Sequence, residues 1–178
     1  MSRRSLKLGI LLFGIVLIGG AVLTFSYLKK HGFSARVKPN PLEETFALTV
    51  RKLVTPSAFL KMKNPLPESP VYLAEARSHY ADHCAVCHGA DGSGGTKISK
   101  GLYPPTPDLA AKRTQDLSDG EIFYIIKEGI RFSGMPGFGG DDKENWKLVQ
   151  FMRHLPKLTE EELHMIEEEM GGVEKEGH

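Results

Sequence analysis

Cys84 and Cys87 are the two cysteines of a 178-residue chain, and with His88 they form the run Cys84-Ala85-Val86-Cys87-His88. Two thiols are too few for a disulfide scaffold, so their chemistry is local. On a helix they lie a little under one turn apart. Both then reach one porphyrin edge and add to its vinyl groups, while the adjacent imidazole points at the iron. Each residue type has a use: two sulfurs as covalent tethers and one neutral nitrogen as ligand. C-x-x-C-H is the attachment pattern of c-type haem. Zinc is a competing chemistry, but it needs about four ligands. Cys84, Cys87, His88 and His83 supply them only as crowded sequence neighbours, with no second cysteine pair. A thioredoxin-like dithiol needs a nearby βαβ pattern, and none is present.

A six-coordinate iron with His88 on one face takes its other ligand from a distant part of the chain. Met135 is the best placed, in the loop Phe132-Ser133-Gly134-Met135-Pro136-Gly137-Phe138-Gly139-Gly140 between two expected helices. A thioether suits both oxidation states of iron and, compared with a second imidazole, raises the potential. Met62 lies in a proline-rich stretch, and Met152, Met165 and Met170 fit helix packing. His154 is the bis-histidine alternative to Met135, although it shares an expected helix with Trp146. His79 and His83, one helical turn apart, are a further possible metal pair, with incidental exposed histidines as the simpler reading.

Helices must position these groups. Ser69 before Pro70 starts one that runs through Val71-Tyr72-Leu73 toward Cys84. Ser118 with Glu121 is a capping box for Ile122, Ile125 and Ile126, which share one face. Asp141 with Glu144 caps a third helix carrying Trp146, Leu148, Val149, Phe151, Met152 and Leu155. Thr159 with Glu162 opens a fourth, acidic helix through Met170, followed by a frayed tail. No strand pattern and no internal repeat compete.

Upstream, MSRRSLK precedes a run from Leu8 to Leu28 without Asp, Glu, Lys or Arg, long enough to cross a bilayer as a helix. A cleaved signal peptide shares the basic start but has a shorter apolar core and an A-x-A-like site. The run here ends at Tyr27-Leu28-Lys29-Lys30 without one, so an uncleaved anchor in the lipid bilayer through residues 8–28 is expected. Arg3-Arg4 reads as a basic flank rather than a twin-arginine signal. Lys29, Lys30, Arg36 and Lys38 follow the span, so flanking charge orients it poorly. Four segments are expected: the anchor over 1–28, a proline-containing tether with short ordered pieces over 29–69, a haem domain over 70–157, and an acidic helix and tail over 158–178. Phe46 to Met62 is apolar enough to strap over the domain surface. The formal net charge of +1, from 23 basic and 22 acidic residues, lacks the basic surplus that attracts nucleic acid, and no nucleic-acid partner is indicated.

Val71 to Leu155 resembles a single-haem class I cytochrome c of the bacterial, membrane-anchored kind. The resemblance is carried by Ala81-Asp82-His83-Cys84-Ala85-Val86-Cys87-His88-Gly89, by the Asp91-Gly92-Ser93-Gly94 turn, by Gly134-Met135-Pro136, and by Trp146-Lys147-Leu148-Val149-Gln150-Phe151-Met152-Arg153. Arg51-Lys52-Leu53 through Asn64-Pro65 resembles the lead-in of such proteins. The resemblance implies an all-α, class I cytochrome c fold around one covalently bound haem c, preceded here by the transmembrane helix. It implies a proline carbonyl that holds the second ring nitrogen of His88. In Gly101-Leu102-Tyr103-Pro104-Pro105-Thr106-Pro107-Asp108-Leu109, Pro107 with Leu109 best matches the family's P-x-L spacing, with Pro105 as competitor and Leu109 against the haem face. It also implies propionate contacts, for which Trp146 and Arg131 are the candidates. Trp146 doubles as ordinary core and Arg131 as a solvated charge.

The family further implies a haem domain on the outer, periplasmic side of a bacterial cytoplasmic membrane. With both axial positions filled, the expected function is one-electron exchange with membrane-bound redox complexes or other electron-transfer proteins, without catalytic residues. A haem-based gas sensor or peroxidase-like protein with a labile sixth ligand is the alternative. The chain offers no distal acid/base constellation to support peroxide cleavage.

Overall fold

The computed structural model describes residues 3–32 and 34–176 and, among these, shows helices and turns without a strand. The all-α expectation holds. The chain divides into two compact units, Met1–Val37 and Lys38–His178.

The first unit is helix α1, Arg3–His31, 29 residues with no buried side chain. At 1.5 Å per residue it is about 43 Å long, more than the ~30 Å of a bilayer's hydrocarbon core. It is long and apolar enough to cross a membrane and fits a single-pass anchor.

The second unit begins with α2, Pro41–Val54, and the single turn α3, Ser57–Leu60. Both fall in the stretch expected as a tether. The prolines there bracket α2 instead of breaking it. Asn40 caps the first turn by accepting the Glu43 N–H at 2.9 Å, Pro41 occupies a position where its missing N–H costs nothing, and Pro56 follows the end. Glu43 and Glu44 open the helix and Arg51 and Lys52 close it, each sign suited to its end of the dipole. Leu42, Phe46 and Leu53 lie exposed along one side, while Leu48, Arg51 and Thr55 turn the other way.

Next come α4 (Pro70–His83), α5 (Ala85–His88), α6 (Lys112–Gln115), α7 (Asp119–Glu128), α8 (Asp142–His154) and α9 (Glu160–Glu176). Ser69 has the extended backbone of a cap, but its hydroxyl makes no capping bond; Pro70 alone sets the start of α4. The Ser118/Glu121 box forms as expected and Asp141 caps α8. In the core α8 packs on α4 and α7, and α4 also meets α9. Phe123 stacks on Trp146 at 4.2 Å between centroids, Tyr80 meets Phe151 at 5.1 Å, and Ile166 of α9 is fully buried. Each such side chain contributes about 1.5–3 kcal/mol by leaving water.

The strap over Phe46–Met62 seats itself through α3. Phe59 meets Tyr124 at 4.9 Å, and its carbonyl lies where a Cβ on Gly120 would be, 1.8 Å away, so only glycine fits at that crossing. Beyond it the chain follows α8: the Asn64 amide donates to the Trp146 carbonyl at 2.8 Å, and the Gln150 amide to that of Pro67 at 2.9 Å.

The terminal helix departs from expectation, continuing past Met170 to Glu176; residues 177 and 178 lie outside the described residues. Gly171 and Gly172 weaken a helix by about 1 kcal/mol each but do not block it as proline would. Its start is tied down by Glu162, which accepts the Thr159 N–H at 2.9 Å and contacts His154 Nε2 at 2.8 Å. Burial opposes ionisation of Glu162, but the Thr159 N–H, the His154 ring and the Thr159 hydroxyl outweigh it and hold the carboxyl below its ordinary range. A lowered native value contributes stability that is present above the unfolded-state value and lost as pH falls through the native one. The urea midpoint of Glu162→Gln is therefore expected below that of the parent from roughly pH 5 upward, with the gap closing below about pH 4. A gap that persists at pH 3 would show that ionisation of Glu162 is not what secures α9.

Candidate haem site

The attachment run sits where α4 breaks into α5. The Cys84 N–H still donates to the Tyr80 carbonyl at 2.9 Å, and the His88 N–H to that of Cys84 at 2.9 Å, so Cys84, Cys87 and His88 share about one helical turn. Gly89 ends the turn with φ +78°, a conformation that favours glycine, and its carbonyl accepts the buried Tyr80 hydroxyl at 2.7 Å. The chain then folds back. The Gly94 N–H donates to the His88 carbonyl at 2.7 Å, and the Leu109 N–H to that of Gly92 at 2.8 Å. These bonds bring the Pro104–Leu109 stretch to the histidine. Gly94, at φ +77°, lies so close that a Cβ would sit 3.1 Å from the Thr106 carbonyl.

Thr114 and Gln115 fix the far end of that stretch. The Thr114 hydroxyl donates to the Asp108 carbonyl at 2.7 Å, and the Gln115 amide reaches the carbonyls of Leu109 and Met152 at 2.7 and 2.9 Å.

These elements enclose a cavity of about 470 Å³ with a mostly apolar wall. Cys84, Cys87, His88, Pro107, Leu109 and Met135 all line it, although they come from three separated stretches of chain. The volume falls within the ~300–1,000 Å³ usual for cofactor pockets. Burial pushes the Cys84 thiol up to about 12, with Cys87 adding to the shift, so it is neutral at physiological pH. Burial also lowers the His88 pKa against an opposing pull from the Pro107 carbonyl, which favours the neutral ring a metal requires. His88 Nδ1 is buried without a well-formed hydrogen bond, so the Pro107 carbonyl acts as a nearby dipole, short of a full acceptor. Two thiols, a neutral imidazole and a thioether around a mostly apolar slot fit a haem.

Met135 reaches the wall from a loop fastened to the end of α7. The Ile130 N–H donates to the Met135 carbonyl at 3.1 Å, the Met135 N–H to the Ser133 hydroxyl at 3.1 Å, and the Phe138 N–H to the Ile126 carbonyl at 3.0 Å. Gly129, at φ +71°, is pressed against the loop: a Cβ there would lie 2.5 Å from the Gly137 nitrogen and 2.8 Å from the Met135 carbonyl oxygen. Gly129→Ala is expected to cost about 2–4 kcal/mol, combining left-handed strain with overpacking. Because the displaced atoms are those that carry Met135, any spectral band that reports the Met135 sulfur on a haem iron is expected to weaken along with the denaturation midpoint. A destabilised variant with that band intact would uncouple Gly129 from the methionine.

Of the other candidates, Pro105 and His83 also line the cavity, and the rest do not. Trp146 is buried against Phe123 and is not part of the cavity wall. Arg131 is exposed and away from it, and His154 faces Glu162. His79 and His83 are 4.9 Å apart by ring centroid, and His83 touches the cavity rim beside Cys84. Among the described residues no group of three or more His, Cys, Asp or Glu side chains is placed to hold a metal ion, so the zinc chemistry finds no site. Among the wall residues not read from the sequence as site residues are Leu48 and Arg51 of α2, Arg113 of α6, and Met152 of α8. For α2, the available signal was an Arg one turn from Leu48 on the side opposite Leu42 and Phe46.

No curated protein matches the chain. Residues 72–152 match the family model described as cytochrome C oxidase, cbb3-type, subunit III, a segment that contains the attachment turn, the Pro107–Leu109 stretch, the Met135 loop and nearly all of α8. That match, on an all-helical scaffold with a haem-sized slot, places the domain among the c-type cytochromes.

Proposed function

We propose that the protein is a membrane-anchored one-electron carrier. In this reading Cys84 and Cys87 hold one haem c covalently, and His88 and Met135 are its axial ligands. The observation that carries it is the convergence of Cys84, Cys87, His88 and Met135 on a single apolar wall across some fifty residues of chain. Bound there, the haem supplies a one-electron iron couple. The Pro107 carbonyl, the dipole beside His88, would orient the imidazole, and Leu109 would lie against the haem face. With His88 and Met135 in both axial positions, no coordination position is left for a substrate, which supports a carrier rather than an enzyme.

Helix α1 keeps the domain beside integral-membrane redox partners and raises its effective concentration there, so exchange is fast without tight binding. Covalent haem of this kind puts the domain on the outer face of a bacterial cytoplasmic membrane. The partners are then respiratory-chain proteins. The matched family's description names an oxidase subunit, and a fixed place within such an oxidase is one form of the same role.

The test is an absorption spectrum of the detergent-solubilised full chain, oxidised and reduced, with carbon monoxide added to the reduced sample. A c-type pyridine haemochrome, a sulfur-to-iron charge-transfer band and indifference to carbon monoxide are expected. A rapid carbon monoxide shift would overturn His88/Met135 ligation, and a chain without haem would overturn the whole reading.

A further inference from the structure

The cavity wall is mostly apolar; its charged lining is Asp82 and His83 beside the attachment turn and two arginines contributed by α2 and α6. Arg51 of α2 and Arg113 of α6 both line the cavity, and both also line an adjoining recess of about 250 Å³ with Asp116, Glu121 and Lys52. Neither Cys84 nor Cys87 touches that recess, so the two arginines mark an end of the slot away from the thiols. Their carboxylate supply is short. Arg113 pairs with Glu44 of α2, whereas among the described residues Arg51 has no salt bridge. Glu121 and Asp116 are the other carboxylates lining the recess, and both are engaged: Glu121 accepts the Ser118 N–H at 2.8 Å in the α7 capping box, and Asp116 pairs with Lys112 at 2.6 Å. Burial and the neighbouring Arg113 charge both work against protonation of Arg51, with Glu121 opposing them.

Two cations turned into one slot, one of them half-buried and unpaired, are costly unless an anion joins them. A guanidinium's planar fork suits a carboxylate in particular. The occupant inferred for this slot carries two carboxylates.

We propose that Arg51 and Arg113 bind the haem propionates, so that α2, which lies outside the segment matched by the family model, is a working part of the haem site and its charge helps set the potential. This rests on the haem reading above. Contacts across the same crossing hold α2 in place: Glu44 with Arg113, and Glu43 with the Tyr103 hydroxyl. Arg51 thus connects the stretch that follows the anchor to the electronic properties of the iron.

The experiment is a potentiometric titration of the full chain in detergent, comparing the parent with Arg51→Gln, Arg113→Gln, Arg51→Lys and Arg131→Gln. Haem content is measured in each by pyridine haemochrome. Removing a positive charge leaves a propionate uncompensated and favours the ferric state. Arg51→Gln and Arg113→Gln are each expected to lower the reduced-to-oxidised ratio at fixed potential by roughly tenfold, ~59 mV for a one-electron couple. Arg51→Lys keeps the charge and is expected to recover most of the shift, and Arg131→Gln, away from the wall, to leave the potential unmoved. Covalent haem at the parental level in both glutamine variants with an unchanged potential would overturn the proposal. So would Arg51→Lys shifting as far as Arg51→Gln, since charge would then not be the cause. Absence of haem from the parent would instead overturn the haem reading itself.

Discussion

Replacing Cys84 and Cys87 together with alanine is expected to abolish covalently held haem: the denatured chain should show no haem-stained band at all. Both thiols lie on the cavity wall within one helical turn, and the chain has no other cysteine to take over. Each single variant keeps one thioether and should retain a weaker stained band, which separates loss of attachment from loss of the chain. The consequence for stability is nearly as large. A slot of about 470 Å³ left without its occupant costs at most on the order of 10 kcal/mol at roughly 24 cal/mol per Å³, the value for a closed cavity, and less where water enters its open side. That is comparable with the whole stability of a typical domain, about 5–15 kcal/mol. The double variant should therefore lose cooperative unfolding in urea as well as its stain. A stained band that survives denaturation in the double variant would remove the thioether assignment, and with it the reason to place haem at His88.

Local chemistry was the most legible layer. C-x-x-C-H is contiguous, so its meaning survives without knowledge of the fold, and the capping box at Ser118 and Glu121 is equally local. Met135 stood out as a candidate ligand for a different reason: a methionine between a glycine and a proline has no helix face to serve, and it lines the same cavity as His88. Its geometric support was not legible. That Gly129 and Gly137 must both be glycine depends on two backbone segments pressed together across eight residues, and only the fold reveals the contact.

Other gaps have the same origin. Counting prolines between His31 and Pro70 suggested repeated interruption, whereas the positions of Pro41 and Pro56 leave an uninterrupted fourteen-residue helix between them. With α2 read as tether, Arg51 and Leu48 had no reason to attract notice. Trp146 shows the opposite limit. An aromatic at the head of an apolar stripe is compatible with core and with cofactor contact alike, and it is the partner, Phe123, that distinguishes them. The end of α9 was set too early because the residues after Met170 read as a frayed tail, although nothing in that stretch forbids a helix as far as Glu176.

Met135→Ala is expected to leave the haem covalently attached while converting the iron from inert to reactive. Cys84 and Cys87 are untouched by the substitution, so haem staining should match the parent. The oxidised protein should lose its sulfur-to-iron charge-transfer band, the potential should fall as the thioether's preference for reduced iron disappears, and the reduced protein should take up carbon monoxide rapidly. Truncating a half-buried methionine should also cost about 2 kcal/mol, read from the urea midpoint. A second thioether, Met152, lies on the same wall and is the natural candidate for rescue. It is held in the last turn of α8, with its carbonyl bound by the Gln115 amide at 2.9 Å, whereas Met135 sits on a loop shaped around it. Rescue would require α8 to move against α4 and α7, so Met135→Ala and Met135→Ala/Met152→Leu should give the same spectra and the same carbon monoxide response. If the single variant keeps the parental band and potential, Met135 is not the ligand. If only the double variant loses them, Met152 is the thioether that the iron uses.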